Sequence, residues 1–135
     1  MKFDEYGHYG ENNGVVGSVA RKTKADMFQE FATVTEQQVC PNLYIDLIFE
    51  EFGEFEESVT DTVGELKEMA DLMFVLYGYA NAMGYDLDTA FARVARNNIG
   101  RCVREDGSIV RREDGKVVKD PDYPKVNLKG CMKSV

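Results

Sequence analysis

Two pairs of carboxylates lie inside helix-patterned apolar sequence. Glu51 and Glu54 fall in Leu47-Ile48-Phe49-Glu50-Glu51-Phe52-Gly53-Glu54-Phe55, and Glu68 and Asp71 in Glu65-Leu66-Lys67-Glu68-Met69-Ala70-Asp71-Leu72. Burying an ionised carboxylate is costly unless it is paired or coordinates a metal. Any fold that makes both segments helical must therefore give four acids a common solution.

The surrounding pattern predicts four helices. Thr23 or Asp26 caps a first helix running to about Val39, with Met27, Phe28, Phe31, Ala32 and Val34 on its apolar side. Cys40-Pro41-Asn42 breaks it, and a second helix covers about 43–58. With Leu47 at zero and 100° per residue, Tyr44 falls at about +60° and Ile48 at about +100°. Glu51 lands at about +40° and Glu54 at about -20°, inside the apolar stripe, while Glu50 lies on its rim at about -60°. A capping box, Thr62 with Glu65, opens a third helix that ends near Met83 at a C-cap glycine, Gly84. Its Leu72–Met83 half is apolar nearly all round, which predicts burial on every side and a second subunit over part of it. Glu68 and Asp71 lie on the side of Val75 and Ala82 and so face packed structure. Asp86 caps a fourth helix, about 87–98, with Leu87, Ala90, Phe91 and Val94 on one face. Residues 107–118 read as two short strands around an Asp-Gly turn, and Pro121 and Pro124 mark an extended tail.

The expected fold is all-α: four-helix-bundle-like antiparallel helices with a short C-terminal β-hairpin and extended tail. Its parts are an irregular N-terminal arm (1–22), a helical core (23–99) and a basic hairpin and tail (100–135), all one domain. In the arm, Val15-Val16 is a candidate strand, and His8, the only histidine, reads as exposed.

Charge and composition exclude several functions. The net charge of -8 is uneven, with 7 Lys/Arg against 18 Asp/Glu in residues 1–98 and 9 against 6 beyond. An acidic body argues against general nucleic-acid binding. No apolar run reaches the roughly 18 residues of a membrane span, and no signal peptide is apparent. Three widely spaced cysteines form neither a zinc pattern nor a disulfide framework, which suits a cytoplasmic protein.

Positions i and i+3 are neighbours on a helix, so two such pairs on facing helices gather four carboxylates around one point. A divalent cation relieves their repulsion. With oxygen ligands alone, the ion is hard: Mg²⁺, with Mn²⁺ as substitute. A di-iron bundle would need Glu-x-x-His pairs, which are absent. The chemistry that follows is phosphoryl or nucleotidyl hydrolysis, with Glu50 placed to take a proton from water. Lys67 reads as a surface residue on a different face. The competing reading is a non-catalytic dimeric helical adaptor whose acids solvate a groove; the inward phase of the acids separates the two.

Glu50-Glu51-x-x-Glu54 followed by Glu68-x-x-Asp71 resembles the signature of all-α nucleoside triphosphate pyrophosphohydrolases, and most of all the MazG-like proteins of bacteria and phages. The resemblance extends from about Leu43 to Tyr123, through Ala70-Asp71-Leu72-Met73-Phe74-Val75-Leu76-Tyr77-Gly78 and Gly84-Tyr85-Asp86-Leu87-Asp88 to Arg112-Glu113-Asp114-Gly115-Lys116-Val117-Val118-Lys119. It implies Mg²⁺-dependent hydrolysis of (deoxy)nucleoside triphosphates to monophosphate and pyrophosphate, or of phosphoribosyl-ATP or dUTP by the same machinery. Glu51, Glu54, Glu68 and Asp71 would be ligands and Glu50 the base. Asn98, Arg101 (where the family often has Lys), Lys116 and Lys119 would meet the substrate. The protein would be a homodimer or dimer of dimers in the cytoplasm, the host's if phage-encoded.

Overall fold

The structure, a computed structural model, describes residues 22–132. Most of the expected N-terminal arm, with His8 and Val15-Val16, lies outside the described residues. Four helices follow: α1 (Lys24–Thr35), α2 (Pro41–Glu57), α3 (Thr62–Met83) and α4 (Leu87–Cys102). No sheet forms among the described residues, so the all-α expectation holds.

Both candidate caps of α1 act together. The Thr23 hydroxyl accepts from Asp26 N–H and the Asp26 carboxylate accepts from Thr23 N–H, a reciprocal box. The helix ends at Thr35, short of the expected Val39. The Thr35 hydroxyl donates to the Phe31 carbonyl (2.7 Å) and accepts from Gln37 N–H, and Glu36 turns left-handed at φ 56°. This local hydroxyl bonding competes with helix continuation. Pro41 is the first residue of α2 rather than part of a break, a position where its missing N–H removes nothing. At α3 the expected Thr62–Glu65 box is replaced: Asp61 is the N-cap residue, without a side-chain cap bond, and Thr62 is already helical. Gly84 ends α3 left-handed at φ 73°, as expected.

Helices α2 and α3, joined by Ser58–Asp61, form the most extensive helix pair, and α1 lies across α3. The core is aromatic. Phe28 and Tyr44 are 1% and 2% exposed, and Val75 and Tyr77 complete the buried cluster. Phe28 meets Tyr44 edge-on with centroids 5.5 Å apart and Phe74 at 5.1 Å; Phe31 meets Phe74 at 5.0 Å, also edge-on. Each such pair adds about 0.5–1.5 kcal/mol beyond its burial. Gly78 makes the α2–α3 approach feasible, since a Cβ there would lie 2.0 Å from the Tyr44 ring.

Helix α4 behaves differently. It runs to Cys102, beyond the expected Asn98, and none of its residues is fully buried. The segment 118–131 returns along it. Asp120 N–H donates to the Arg101 carbonyl (2.7 Å), Asn97 Nδ2 to Pro124 (3.0 Å), Arg93 Nη1 to Lys129 (2.7 Å) and Asp86 N–H to Cys131 (2.6 Å). Gly100, within the last turn, receives Tyr123 so closely that a Cβ would lie 2.2 Å from its hydroxyl. The expected hairpin is reduced to one antiparallel bridge, Arg111 with Val117, closed by the Asp114-Gly115 turn with Gly115 at φ 87°. No described helix is long and apolar enough to cross a membrane.

Candidate metal centre

Glu51 lies two turns from the end of α2, on the side of Tyr44, Ile48 and Phe55. Glu68 and Asp71 lie on the second and third turns of α3, on the side of the buried Val75. Because a short turn folds α3 back onto α2, one oxygen from each of Glu51, Glu68 and Asp71 comes within 4.8 Å of the others. Glu54, expected inside the apolar stripe, is instead exposed and not one of the converging three; it reaches them only through its contact with the Glu51 carboxyl. Glu50 is exposed beside them, on the rim.

The electrostatics are those of an incompletely compensated acid cluster. The Glu51 carboxyl is pushed up to about 7, first by burial, then by its hydrogen bond with Glu54 and the charges of Glu54, Asp71 and Glu68. Glu51 Oε2 and Glu68 Oε2 are buried without any hydrogen-bond partner. Buried acceptors left this way are rare. An octahedral Mg²⁺ or Mn²⁺ ion binds oxygen at about 2.0–2.2 Å and so spans about 4 Å between opposite ligands. The donor set is all oxygen, so the residues fit a hard divalent cation.

Lys67 corrects an expectation. It is not a bystander on another face: its Nζ lies 2.6 Å from Asp71 Oδ2 and 3.5 Å from Glu68 Oε1. The signal was available, since Lys67 and Asp71 are spaced i, i+4. Those contacts, the Asp71 hydrogen bond first, raise the Lys67 ammonium above the usual lysine range.

The four expected substrate residues lie on a separate part of the molecule. Asn98 and Arg101 are half-buried on α4, and Lys116 and Lys119 are exposed around the hairpin. Among the described residues, no hydrogen bond or ion pair links them to the four acids. Arg101 Nε is buried and unpartnered, while its carbonyl anchors Asp120 and Arg104. Tyr44 and Phe31 belong to the aromatic core.

Paired acidic helices converging on one point define an all-helical, carboxylate-centred class of protein. The profile of the phosphoribosyl-ATP pyrophosphohydrolase family matches residues 21–98, and the chain belongs to that family. The matched span holds Glu50, all four clustered acids and Asn98, and leaves Arg101, Lys116 and Lys119 outside. None of the curated proteins compared with the chain matches it.

Proposed function

We propose that this protein hydrolyses a nucleoside triphosphate to the monophosphate and pyrophosphate, with Mg²⁺, or Mn²⁺ in its place, held by Glu51, Glu54, Glu68 and Asp71. The observation that carries this reading is the convergence of three carboxylate oxygens beside two buried, unpartnered Oε2 atoms. A divalent ion held there supplies charge neutralisation for a polyphosphate and acidifies water. Glu50, on the rim, accepts the proton of the attacking water. The water oxygen bonds to phosphorus, the bond to the bridging oxygen breaks, and pyrophosphate leaves, so one water is consumed per turnover. Arg101, with its unpartnered Nε, and Asn98, Lys116 and Lys119 are read as contacts for the polyphosphate.

A second substrate has its own support. Phosphoribosyl-ATP, named in the matched family's description, carries the same triphosphate. The MazG-like reading of the sequence favours non-standard or deoxy nucleotides instead. Pyrophosphate release from NTPs, dNTPs, dUTP and phosphoribosyl-ATP, with Mg²⁺ and with EDTA, separates them. Metal-dependent release from one group is expected, and Glu50→Gln should lower kcat by about 10²–10⁴ while Mn²⁺ still binds. Absence of release from every nucleotide would leave the adaptor reading standing.

The same reading includes a cytoplasmic homodimer or dimer of dimers. Leu66, Met69, Met73, Leu76 and Met83 are exposed at alternating three- and four-residue or seven-residue steps along α3, and Ile45, Phe49 and Phe52 are exposed on α2. That spacing suits helix packing against a second copy.

A further inference from the structure

The site already contains a cation, and it belongs to the chain. Lys67 Nζ contacts Asp71 Oδ2 and Glu68 Oε1, two of the carboxylates that would hold the metal. A divalent ion bonded to these carboxylates at about 2.0–2.1 Å would lie within a few ångströms of the ammonium, and two cations at that separation repel. The two cannot hold the same oxygens together.

The burial of the partners shows which one yields. The Glu68 side chain is 17% exposed and Asp71 37%, whereas Lys67 is 66% exposed on a flexible stem. The ammonium can return to water more readily than Glu68 or Asp71 can. Nor does Lys67 complete the site from its position, because Glu51 Oε2 and Glu68 Oε2 remain unpartnered behind it.

We propose that Lys67 is a displaceable counter-cation, a positioning residue that holds Glu68 and Asp71 in the metal-free protein and is expelled when the divalent ion binds. The proposal rests on the metal-dependent reading above. Exchange of this kind weakens metal binding by whatever stabilisation the lysine contacts supply. It also leaves a primary amine beside the bound metal, pointed at solvent.

The test uses the full chain and Mn²⁺ alone, read by electron paramagnetic resonance of the free ion. Lys67→Met should bind Mn²⁺ roughly two- to fivefold more tightly than the unsubstituted protein, in line with the strength of exposed ion pairs. Lys67→Arg, which keeps the charge, should return affinity towards the original. On the unsubstituted protein, acylation of Lys67, followed by mass spectrometry, should accelerate on adding Mn²⁺ while Lys22 and Lys24 label at unchanged rates. Mn²⁺ binding of equal or lower affinity in Lys67→Met, with Lys67 labelling indifferent to the ion, overturns the exchange and leaves the metal centre intact. If no form of the protein binds Mn²⁺, both ideas fall.

Discussion

Glu51 is where the chemistry of single residues is most exposed. Its carboxyl is raised from an ordinary 4.5 to about 7, so the folded state binds its proton more tightly than the unfolded state does. That contribution to stability is full below about pH 4.5 and is lost as pH rises towards 7. Metal-free protein should therefore show a Tm that falls between about pH 5 and 7. Mn²⁺ should flatten the slope, because the ion replaces the proton. Glu51→Gln should flatten it in EDTA. A metal-free Tm that climbs through this window would contradict the assignment. The inward phase of Glu51 was legible because Leu47 and Tyr44 flank it on the helical wheel and both are packed. Lys67 was misjudged because it lies about 100° from Glu68 on the wheel, whereas Asp71, the residue its ammonium reaches, is only about 40° away at i+4.

Between elements, the α2–α3 pair depends on a missing side chain. The Tyr44 ring packs onto the bare backbone at Gly78, in the middle of a 22-residue helix. Alanine there would raise intrinsic helix propensity by about 1 kcal/mol. The overlap with Tyr44 should outweigh it, and Gly78→Ala should lose about 1–3 kcal/mol by urea unfolding. A stabilised Gly78→Ala protein would show that the two helices separate easily. Existence and order of the four helices followed from apolar periodicity and the Gly84 stop. Two ends did not. Helix α1 stops early because Thr35 bonds backward, and α4 continues past Gly100 because Tyr123 packs on that glycine from 23 residues later. Neither cause is a local propensity.

At the scale of the whole molecule, the outward apolar stripes of α2 and α3 are the main unfinished business of a single chain. They lie on the side of α3 away from Glu68 and Asp71, so covering them with a second copy need not block the acids. Light scattering coupled to size exclusion should give at least a dimer. Leu76→Glu, which places a charge within the α3 stripe, should shift it towards monomer and weaken assembly by several kcal/mol. A protein that is monomeric throughout would require another cover for those residues. The dimer was inferred from a helix that looked too apolar for one small domain, and the exposure of Met69, Met73 and Leu76 is the form that excess takes. The approach of Glu51, Glu68 and Asp71 was legible because they lie within about 20 residues on adjacent helices. The placement of Asn98, Arg101, Lys116 and Lys119 was not, because α4 and the hairpin are positioned by the returning tail rather than by any sequence period.

That returning tail also sets an order of events. The α2–α3 pair, with α1 across it, spans residues 24–83, whereas α4 gains its cover from carbonyls at Asn127, Lys129 and Cys131, 34 to 45 residues beyond the groups that bind them. During synthesis the acid-bearing hairpin is complete while α4 still waits for its strap. The half of the protein that carries the acid cluster can therefore acquire its shape before the segment bearing Arg101 and Lys116 is secured.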